Sequence, residues 1–476
     1  MYQVLLALPA LAYLMNKRAA RLLLMAVQLL LLVLHMAGFY PLQLQQILVL
    51  VASLVLLLDP MSNPQLIALV ALIGVTPLPG ITPLVALTLL LVVALSMRKS
   101  HGRVGLYSIV ALSLALVLEY SGYSFAGAPI VLFLAGAFPF HRWLADMYSD
   151  FKSAGILVAF IAVAYLNEHL VAYASVAQPL LFLGALTTIV GVFQCMTGKR
   201  FAGFLSGIHQ IIFGILLVPA SVMELGALFY YLLPPAVLSL SVINSVYDRL
   251  GEETGGDMLG LGGLSSSLRV EAASVLSTYM VLFSLVSMVA EVLMLKGVGG
   301  SVGFTLLGCA TLFAAAASLA AFFRGYTLVF EGPSKGSVAK AGLRGLAVAL
   351  ASAGSFLLAL VPAWSLLVLS LASGGKPPEF ESLNILLLIM LVAASSSAVA
   401  MAGAKPVKAK SWMGGYAGVD DLRGSRGEIF TSWREIFKPL YDLRSPDEGV
   451  SGAIEGTNPL IILAIVAVLA IIGVVI

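Results

Sequence analysis

Charge is scarce in this sequence of 476 residues: Asp, Glu, Lys and Arg make up only 10% of it, whereas 60% is hydrophobic. A soluble core of this size would not need so little charge, so the composition indicates a polytopic membrane protein. Cysteine is equally scarce. Cys195 and Cys309 lie in apolar stretches with no second Cys or His at metal-binding spacing, so neither disulfides nor zinc are expected.

Motifs for soluble chemistry are also missing. The sequence has no phosphate-binding glycine loop, no metal cluster and no Ser, His and Asp set that suggests a nucleophile. The glycine-rich segment 251–263 follows no strand and is expected to be a flexible cytoplasmic loop. We therefore predict no cofactor and no metal in this chain. We also predict no nucleic-acid partner, because the net charge of +3 matters here only through its distribution between the two membrane faces.

Long apolar runs are what the sequence has in abundance. Runs of roughly 17 to 25 residues recur along its length and predict an all-α membrane protein with about 14–16 transmembrane helices. The candidate helices lie near 2–16, 20–39, 43–58, 64–75, 81–97, 105–122, 127–140, 154–172, 175–196, 202–222, 225–246, 270–295, 302–325, 343–372, 382–402 and 458–476.

Basic residues follow every second helix on this map. Of the 26 Lys and Arg residues, only Lys296 and Lys376 fall on the other side. The positive-inside rule then predicts that both termini lie outside and the basic loops in the cytoplasm, in a cell-membrane protein surrounded by lipid.

One long polar excursion, 403–457, carries apolar residues at helical spacing within 429–440. That amphipathic helix is expected to lie on the membrane surface as an anchor or on a partner subunit.

Ionisable side chains at bilayer depth are costly and therefore suggest function. Glu291 lies inside a continuous apolar run near the end of its helix, either as a proton-relay carboxylate or as an interfacial residue near Lys296. His209 lies about two and a half turns into its helix. It is either a packing residue or a proton relay, since imidazole both donates and accepts a proton near neutral pH and Ser206 and Gln210 lie beside it.

Other charged residues lie at helix ends. Glu119 and Glu168 end their candidate helices on the outer side and are interpreted either as solvated helix ends or as an exit for protons. Arg324 and Glu331 flank a helix exit, where they could pair without a functional reason.

Three segments carry a resemblance to a known family. FPFHRWLADMY at 138–148, GKRFAGFLSGIHQIIFGIL at 198–216 and LFSLVSMVAEVLMLKG at 282–297 are similar, in that order, to motifs of antiporter-like proton-translocating subunits. Such subunits occur in respiratory complex I, membrane-bound energy-converting hydrogenases and multisubunit sodium/proton antiporters. The resemblance brings Lys199, Arg200, Ser206 and His209 into register with the second motif and Glu291 onto the Glu/Lys position of the third.

The sequence also departs from the family pattern. No Glu precedes the first motif in 81–97, the position of the expected Lys is near Ile161, and the prolines that break two helices are absent from 154–172 and 270–295. The resemblance implies an antiporter-like core with an inverted repeat (76–335). The map of apolar runs adds four expected regions: N-terminal helices (1–75), C-terminal helices (336–402), the excursion (403–457) and a final helix (458–476).

Three functions follow as hypotheses. The first is a non-redox membrane-arm subunit of a complex I-like or hydrogenase-like pump, with other membrane subunits as partners. Its partial proton (or Na⁺) pathway would enter by Lys152, Lys199 or His141, pass His209 and reach Glu291, with Glu119, Glu168 and Arg324 as exit or coupling residues. The second is a non-conducting structural spacer, favoured by the missing Glu and Lys. The third is a component of a sodium/proton antiporter.

Overall fold

A computed structural model of the chain describes residues 17–38, 50, 53–54, 57, 128–141, 144, 148, 156, 159–160, 162–163, 177–222, 226–253, 256, 258, 261–298, 302–331 and 343–360. These residues form helices and turns without a strand. The helices are α1 (Lys17–Met36), α2 (Ala128–Leu134), α3 (Ala177–Thr197), α4 (Phe201–Ala220), α5 (Gly226–Glu253), α6 (Arg269–Val298), α7 (Val302–Phe330) and α8 (Leu343–Leu360), with a 3₁₀ turn at Leu264–Ser266. The predicted all-α membrane class is confirmed.

Four of these helices, α3, α4, α6 and α7, are long and apolar enough to cross a membrane. Their bounds lie close to those predicted from the apolar runs. Helix α5 is longer than predicted and ends at Glu253 instead of near 246, because Tyr247 and Leu250 are buried in the core despite the charged residues around them. Helix α6 is continuous over Arg269–Val298, as expected from its lack of an interior proline.

Helix α2 ends earlier than the predicted 140. The N–H of Gly136 donates to the carbonyl of Phe133 at 3.0 Å, and the N–H of Ala137 donates to that of Leu132 at 2.8 Å. This is the Schellman arrangement, which needs a left-handed residue, and Gly136 supplies it with φ of 66°. The Phe138–Pro139 peptide bond that follows is cis. A glycine end therefore turns the chain before the proline is reached.

The loops at one end of the helices are joined to each other. The N–H of Phe201 donates to the carbonyl of Gly256 at 3.0 Å, and that of Met258 donates to Lys199 at 3.1 Å. The N–H of Gly263 donates to the carbonyl of Glu331 at the end of α7, at 2.9 Å. Met258 is completely buried. The sequence suggested a flexible loop at 251–263, whereas its described residues are tied by backbone hydrogen bonds to the α3–α4 turn and to the end of α7.

Glycines let α3 and α4 approach each other closely. A Cβ atom on Gly207 would lie 2.6 Å from the Cys195 sulfur and 2.8 Å from the carbonyl oxygen of Gly191. About two turns further along α4, a Cβ on Gly214 would lie 2.6 Å from the backbone nitrogen of Thr188 and 2.8 Å from the carbonyl oxygen of Gly184. Small residues at such contacts let backbones pack where apolar burial gives little driving force in lipid.

Helix α8 packs on α5 and α6 through hydroxyl groups. The Ser355 and Ser239 hydroxyls lie 2.6 Å apart, and Ser355 also donates to the carbonyl of Pro235 at 3.0 Å. Ser352 donates to the carbonyl of Ser274 at 3.0 Å.

The outer faces of the bundle are apolar, as lipid contact requires. Large exposed hydrophobic residues there are Leu22, Leu29, Val33, Phe182, Val302, Leu306, Phe313, Leu346, Leu350 and Leu357.

The glycine contact predicts opposite effects for two substitutions on α4. Gly207→Ala should lower stability by about 1–3 kcal/mol, because the added methyl overlaps the backbone of α3. Gly203→Ala is the matched control: its Cβ would find no atom nearer than 3.9 Å. Alanine should there raise helix stability by up to about 1 kcal/mol. Thermal unfolding in detergent measures both. Equal shifts in the two variants would contradict the close contact.

Candidate functional site

His209 lies in the middle of α4, and each of its two ring nitrogens has a hydrogen-bond partner. It lies eight residues after the start of the helix, about 12 Å along its axis. Its side chain is completely buried. The Tyr148 hydroxyl lies 2.9 Å from Nδ1, and the carbonyl oxygen of Ala135 lies 3.2 Å from Nε2. Because a carbonyl only accepts, Nε2 carries a proton. Nδ1 accepts from Tyr148 when the imidazole is neutral and donates to it when the imidazole is protonated.

Aromatic rings enclose this imidazole. Tyr148 meets it edge to face with ring centroids 5.8 Å apart, and the Phe213 ring lies one turn along α4 at 4.4 Å. The Ala135 carbonyl is available because the glycine turn after α2 brings it to the end of that helix. The segment that resembles the first family motif thus supplies Tyr148, and the turn before it supplies Ala135, to the histidine of the second motif.

Asp248 is a buried carboxylate that the sequence analysis missed. It is 3% exposed and lies five residues before the end of α5. Asn244, one turn earlier, has its side-chain nitrogen 3.5 Å from Asp248 Oδ2. Because the helix was predicted to end near 246, Asp248 was counted among the loop charges. Its spacing of four residues from Asn244 was the one sign in the sequence that the two polar side chains could pair on a helix.

A buried ion pair lies beside Asp248. Arg249 Nη1 is 3.5 Å from Glu271 Oε1, with both side chains about one-tenth exposed. Arg249 belongs to the end of α5 and Glu271 to the first turn of α6. A carboxylate in the first turn also complements the positive end of the helix dipole. This pair connects the two helices at the end where the loops are joined.

Ser206 and Gln210, which lie beside His209 in the sequence, contact α3. Gln210 Nε2 donates to Gln194 Oε1 at 2.6 Å, and Gln194 Nε2 donates to the Ser206 hydroxyl at 2.5 Å. The hydrogen bonds of His209 go to residues of the 128–148 segment. The two sets of polar contacts therefore tie α4 to different neighbours, and no hydrogen bond between the described residues joins them.

The other predicted relay residues are dispersed. His141 is buried and stacks on Phe138 with ring centroids 5.8 Å apart. Lys199 is exposed at the α3–α4 turn. Lys152, Glu119 and Glu168 lie outside the described residues, as do the 403–457 excursion and the final helix.

Glu291 lies far from His209 along the bundle. It is 22 residues after the start of α6, which corresponds to about 33 Å along the helix axis, against about 12 Å for His209 on α4, which runs in the same direction. Both helices begin at the end where the loops are joined. Glu291 is partly exposed, and no other described residue forms a hydrogen bond or an ion pair with it. A proton route between the two residues would therefore have to cross about 20 Å.

Arg324 caps the end of α3. Its Nη1 donates to the carbonyl of Cys195 at 2.7 Å and its Nη2 to that of Gly198 at 2.9 Å. These carbonyls belong to the last turn of a helix, where intrahelical donors are lacking and positive charge is favoured. The sequence suggested that Arg324 could pair with Glu331; the two hydrogen bonds described here go to the end of α3. Arg324 is thus positioned to hold α7 against the α3–α4 hairpin.

A pair of buried tyrosines also lies within the bundle. The Tyr279 hydroxyl of α6 donates to the Tyr247 hydroxyl of α5 at 2.7 Å. The Tyr279 ring stacks on Phe322 of α7 with centroids 4.9 Å apart. These contacts satisfy polar groups that would otherwise be costly in the bilayer, and they fix the relative positions of three helices around Asp248.

Comparison with known proteins identifies the fold. No protein-family model and no curated protein sequence matches the chain. Among solved structures, a chain of the membrane-bound sulfane sulfur reductase, an archaeal respiratory membrane complex, is 15% identical with a TM-score of 0.65, covering 98% of this chain and 99% of that one.

Two further structures agree. A chain of Thermus thermophilus respiratory complex I is 16% identical with a TM-score of 0.65, covering 82% of this chain and all of that one. A chain of the Mrp complex from Dietzia is 14% identical with a TM-score of 0.55, covering 84% of this chain and 97% of that one. The chain has the fold of an antiporter-like membrane subunit, and the resemblance predicted from its motifs is confirmed at the level of the fold.

Proposed function

We propose that this chain is a membrane-arm subunit of a redox-driven ion-translocating complex, in which it contacts other membrane subunits and contributes a proton-transfer step at His209. The likeness to chains of two respiratory complexes supports the setting. In this proposal the chain itself holds no redox cofactor. The redox chemistry belongs to other subunits, and this chain changes the protonation of groups inside the bilayer.

The observation that carries the proton step is the hydrogen bond between Tyr148 and His209 Nδ1. Nδ1 is the nitrogen that can take up a proton, because Nε2 already carries one toward Ala135. Imidazole changes charge near neutral pH when its surroundings allow. Tyr148 can then turn from donor to acceptor without breaking the contact. Glu291, His141, Lys152 and Lys199 remain proposed members of the route, as entry or terminal groups.

Removing the accepting nitrogen tests this function. In the whole complex reconstituted into vesicles, His209→Gln should lower redox-linked proton uptake by at least about tenfold, because the amide takes up no proton. Tyr148→Phe should lower it in the same direction by removing the contact to Nδ1. Glu291→Gln should also abolish uptake if the route ends there. The measurement is the rate of proton uptake per electron transferred, at matched content of assembled complex.

Glu331→Gln provides the control, since Glu331 is exposed at the end of α7 and the substitution keeps the backbone groups that make its hydrogen bonds. Its uptake should equal that of the unmodified complex. Undiminished pumping in His209→Gln and Tyr148→Phe would reject a proton step at His209. Proton flux that depends on sodium and requires no electron transfer would point instead to a sodium/proton antiporter component.

A structural spacer is the second candidate. The specific observation in its favour is that both nitrogens of His209 already have protein partners, while Glu291 has none among the described residues and lies about 20 Å further along the bundle. A spacer predicts intact pumping in the His209 and Glu291 variants. It also predicts that deletion of 429–440 dissociates the complex, which native electrophoresis would detect.

We propose that the joined loops face the cytoplasm and that both termini lie outside. Lys199, Arg200 and Arg269 are exposed at this end, and the positive-inside rule places such residues in the cytoplasm. Arg200→Cys should react with a membrane-impermeant maleimide only in inside-out vesicles. Arg200→Ser, which retains Cys195 and Cys309, gives the background. Labelling from the outer face of intact cells would reverse the orientation.

A further inference from the structure

One side-chain hydroxyl fastens the end of α2 to α3. Thr187 lies on α3 and is completely buried. Its hydroxyl oxygen accepts from the backbone N–H of Phe138 at 3.0 Å and donates to the carbonyl of Leu183, one turn earlier on its own helix, at 2.6 Å. Because the hydroxyl proton is directed at Leu183, a lone pair of the oxygen remains for Phe138. Both hydrogen bonds are therefore made at once.

Phe138 makes a contact that its neighbours in the chain do not make. The N–H groups of the three residues before it, 135–137, donate to carbonyls of α2 at 2.8–3.0 Å. Pro139, which follows, has no N–H to donate. An N–H group away from water is costly when it lacks an acceptor. The Thr187 oxygen meets this need and thereby ties the turn to a different helix.

The anchored turn supplies the carbonyl that binds His209. The Ala135 oxygen, three residues before Phe138, lies 3.2 Å from His209 Nε2. The chain between Ala135 and Phe138 is closely packed, since a Cβ on Gly136 would lie 2.5 Å from a methyl carbon of Leu144. Such a turn moves as a unit. A bond that fixes Phe138 therefore also fixes the Ala135 oxygen.

Helix α3 is the common reference for both halves of this contact. Its Gly191 packs against Gly207 so closely that neither can carry a Cβ, which holds α4 and its imidazole in place. Thr187 lies one turn before Gly191 on the same helix and holds the α2 end and its carbonyl. The distance between the carbonyl and the imidazole is therefore set by two neighbouring contacts on α3.

We propose that Thr187 is a positioning residue of the His209 site: its hydroxyl holds the end of α2 against α3 and so keeps the Ala135 carbonyl at Nε2. The inference rests on the proposed function, because it gives this contact a role in proton transfer. A carbonyl at Nε2 keeps a proton on that nitrogen. Proton uptake is then confined to Nδ1, on the side of Tyr148. Thr187 acts on the imidazole only through the turn.

Two substitutions separate the hydroxyl from the shape of the side chain. Thr187→Val keeps the branched shape and removes both hydrogen bonds, whereas Thr187→Ser keeps the hydroxyl and loses a methyl group. In Thr187→Val the Nε2 signal of His209 should shift, and proton uptake per electron should fall by about three- to tenfold, the loss expected for one ordinary hydrogen bond. Thr187→Ser should retain both properties. A role limited to packing predicts the reverse order.

Thr188→Val is the matched control on the next residue of α3. Thr188 is equally buried, and its hydroxyl donates to the carbonyl of Gly184 at 3.1 Å and lies 3.5 Å from that of Ile211 on α4. The substitution removes a threonine hydroxyl from the same helix while leaving the bond to Phe138 in place. The Nε2 signal and the proton uptake should equal those of the unmodified complex.

The measurement is the ¹⁵N spectrum of the ring in the full-length chain within its complex, labelled with ¹⁵N-histidine. The His209 signals among the five histidines are assigned by their loss in His209→Gln. Proton uptake is measured on the same preparations at matched content of assembled complex. If Thr187→Val does not assemble, hydrogen exchange at the Phe138 amide of the unmodified complex decides. Protection like that of the α3 amides is expected, and exchange as fast as in an exposed loop overturns the anchor.

Three results are distinguishable. A shifted Nε2 signal and reduced uptake in Thr187→Val, with neither change in Thr187→Ser, support the inference. An Nε2 signal that is unchanged in Thr187→Val, or that shifts equally in Thr187→Ser and Thr188→Val, overturns it. The proposed function then stands if His209→Gln still lowers uptake. Undiminished uptake in His209→Gln overturns the proton step and the positioning role together.

Discussion

The close contact between α3 and α4 is the constraint on which the rest of the site depends. Gly191 and Gly207 leave no room for a Cβ atom between the two backbones. This contact fixes the rotation of α4, so that Gln210 faces α3 while His209 faces the 128–148 segment. Arg324 then caps the end of α3 from α7. A bulkier residue at the contact would rotate or separate α4 and move the imidazole away from Tyr148.

The bilayer explains why the polar side chains occur in partnered sets. Every polar group in hydrocarbon must find a partner within the protein, because water is absent. The Gln194–Gln210 contact, the tyrosine pair and the serines of α8 satisfy this requirement with neutral groups. Among the residues that the structure describes, Asp248 and the Arg249–Glu271 pair add buried charge where α5 ends and α6 begins.

For the part of the chain that the structure describes, the sequence predicted the long helices well because apolar runs report burial in lipid directly, and His209 was identified because it interrupts such a run. Asp248 and Tyr148 could not be found in this way. Tyr148 lies 61 residues from His209 in the chain, and Asp248 looked like a loop charge until the buried Tyr247 and Leu250 extended α5 past it. Contacts between distant segments depend on tertiary packing, which periodicity within one helix does not report.

The central claim is that Tyr148 and the Ala135 carbonyl hold His209 as a neutral imidazole with its proton on Nε2. The ¹⁵N chemical shifts of the labelled ring at neutral pH, in the assembled complex, test it most directly. The account predicts a protonated Nε2 and a hydrogen-bonded, unprotonated Nδ1 whose signal shifts in Tyr148→Phe. A proton on Nδ1, or an Nδ1 signal unaffected by that substitution, would contradict it.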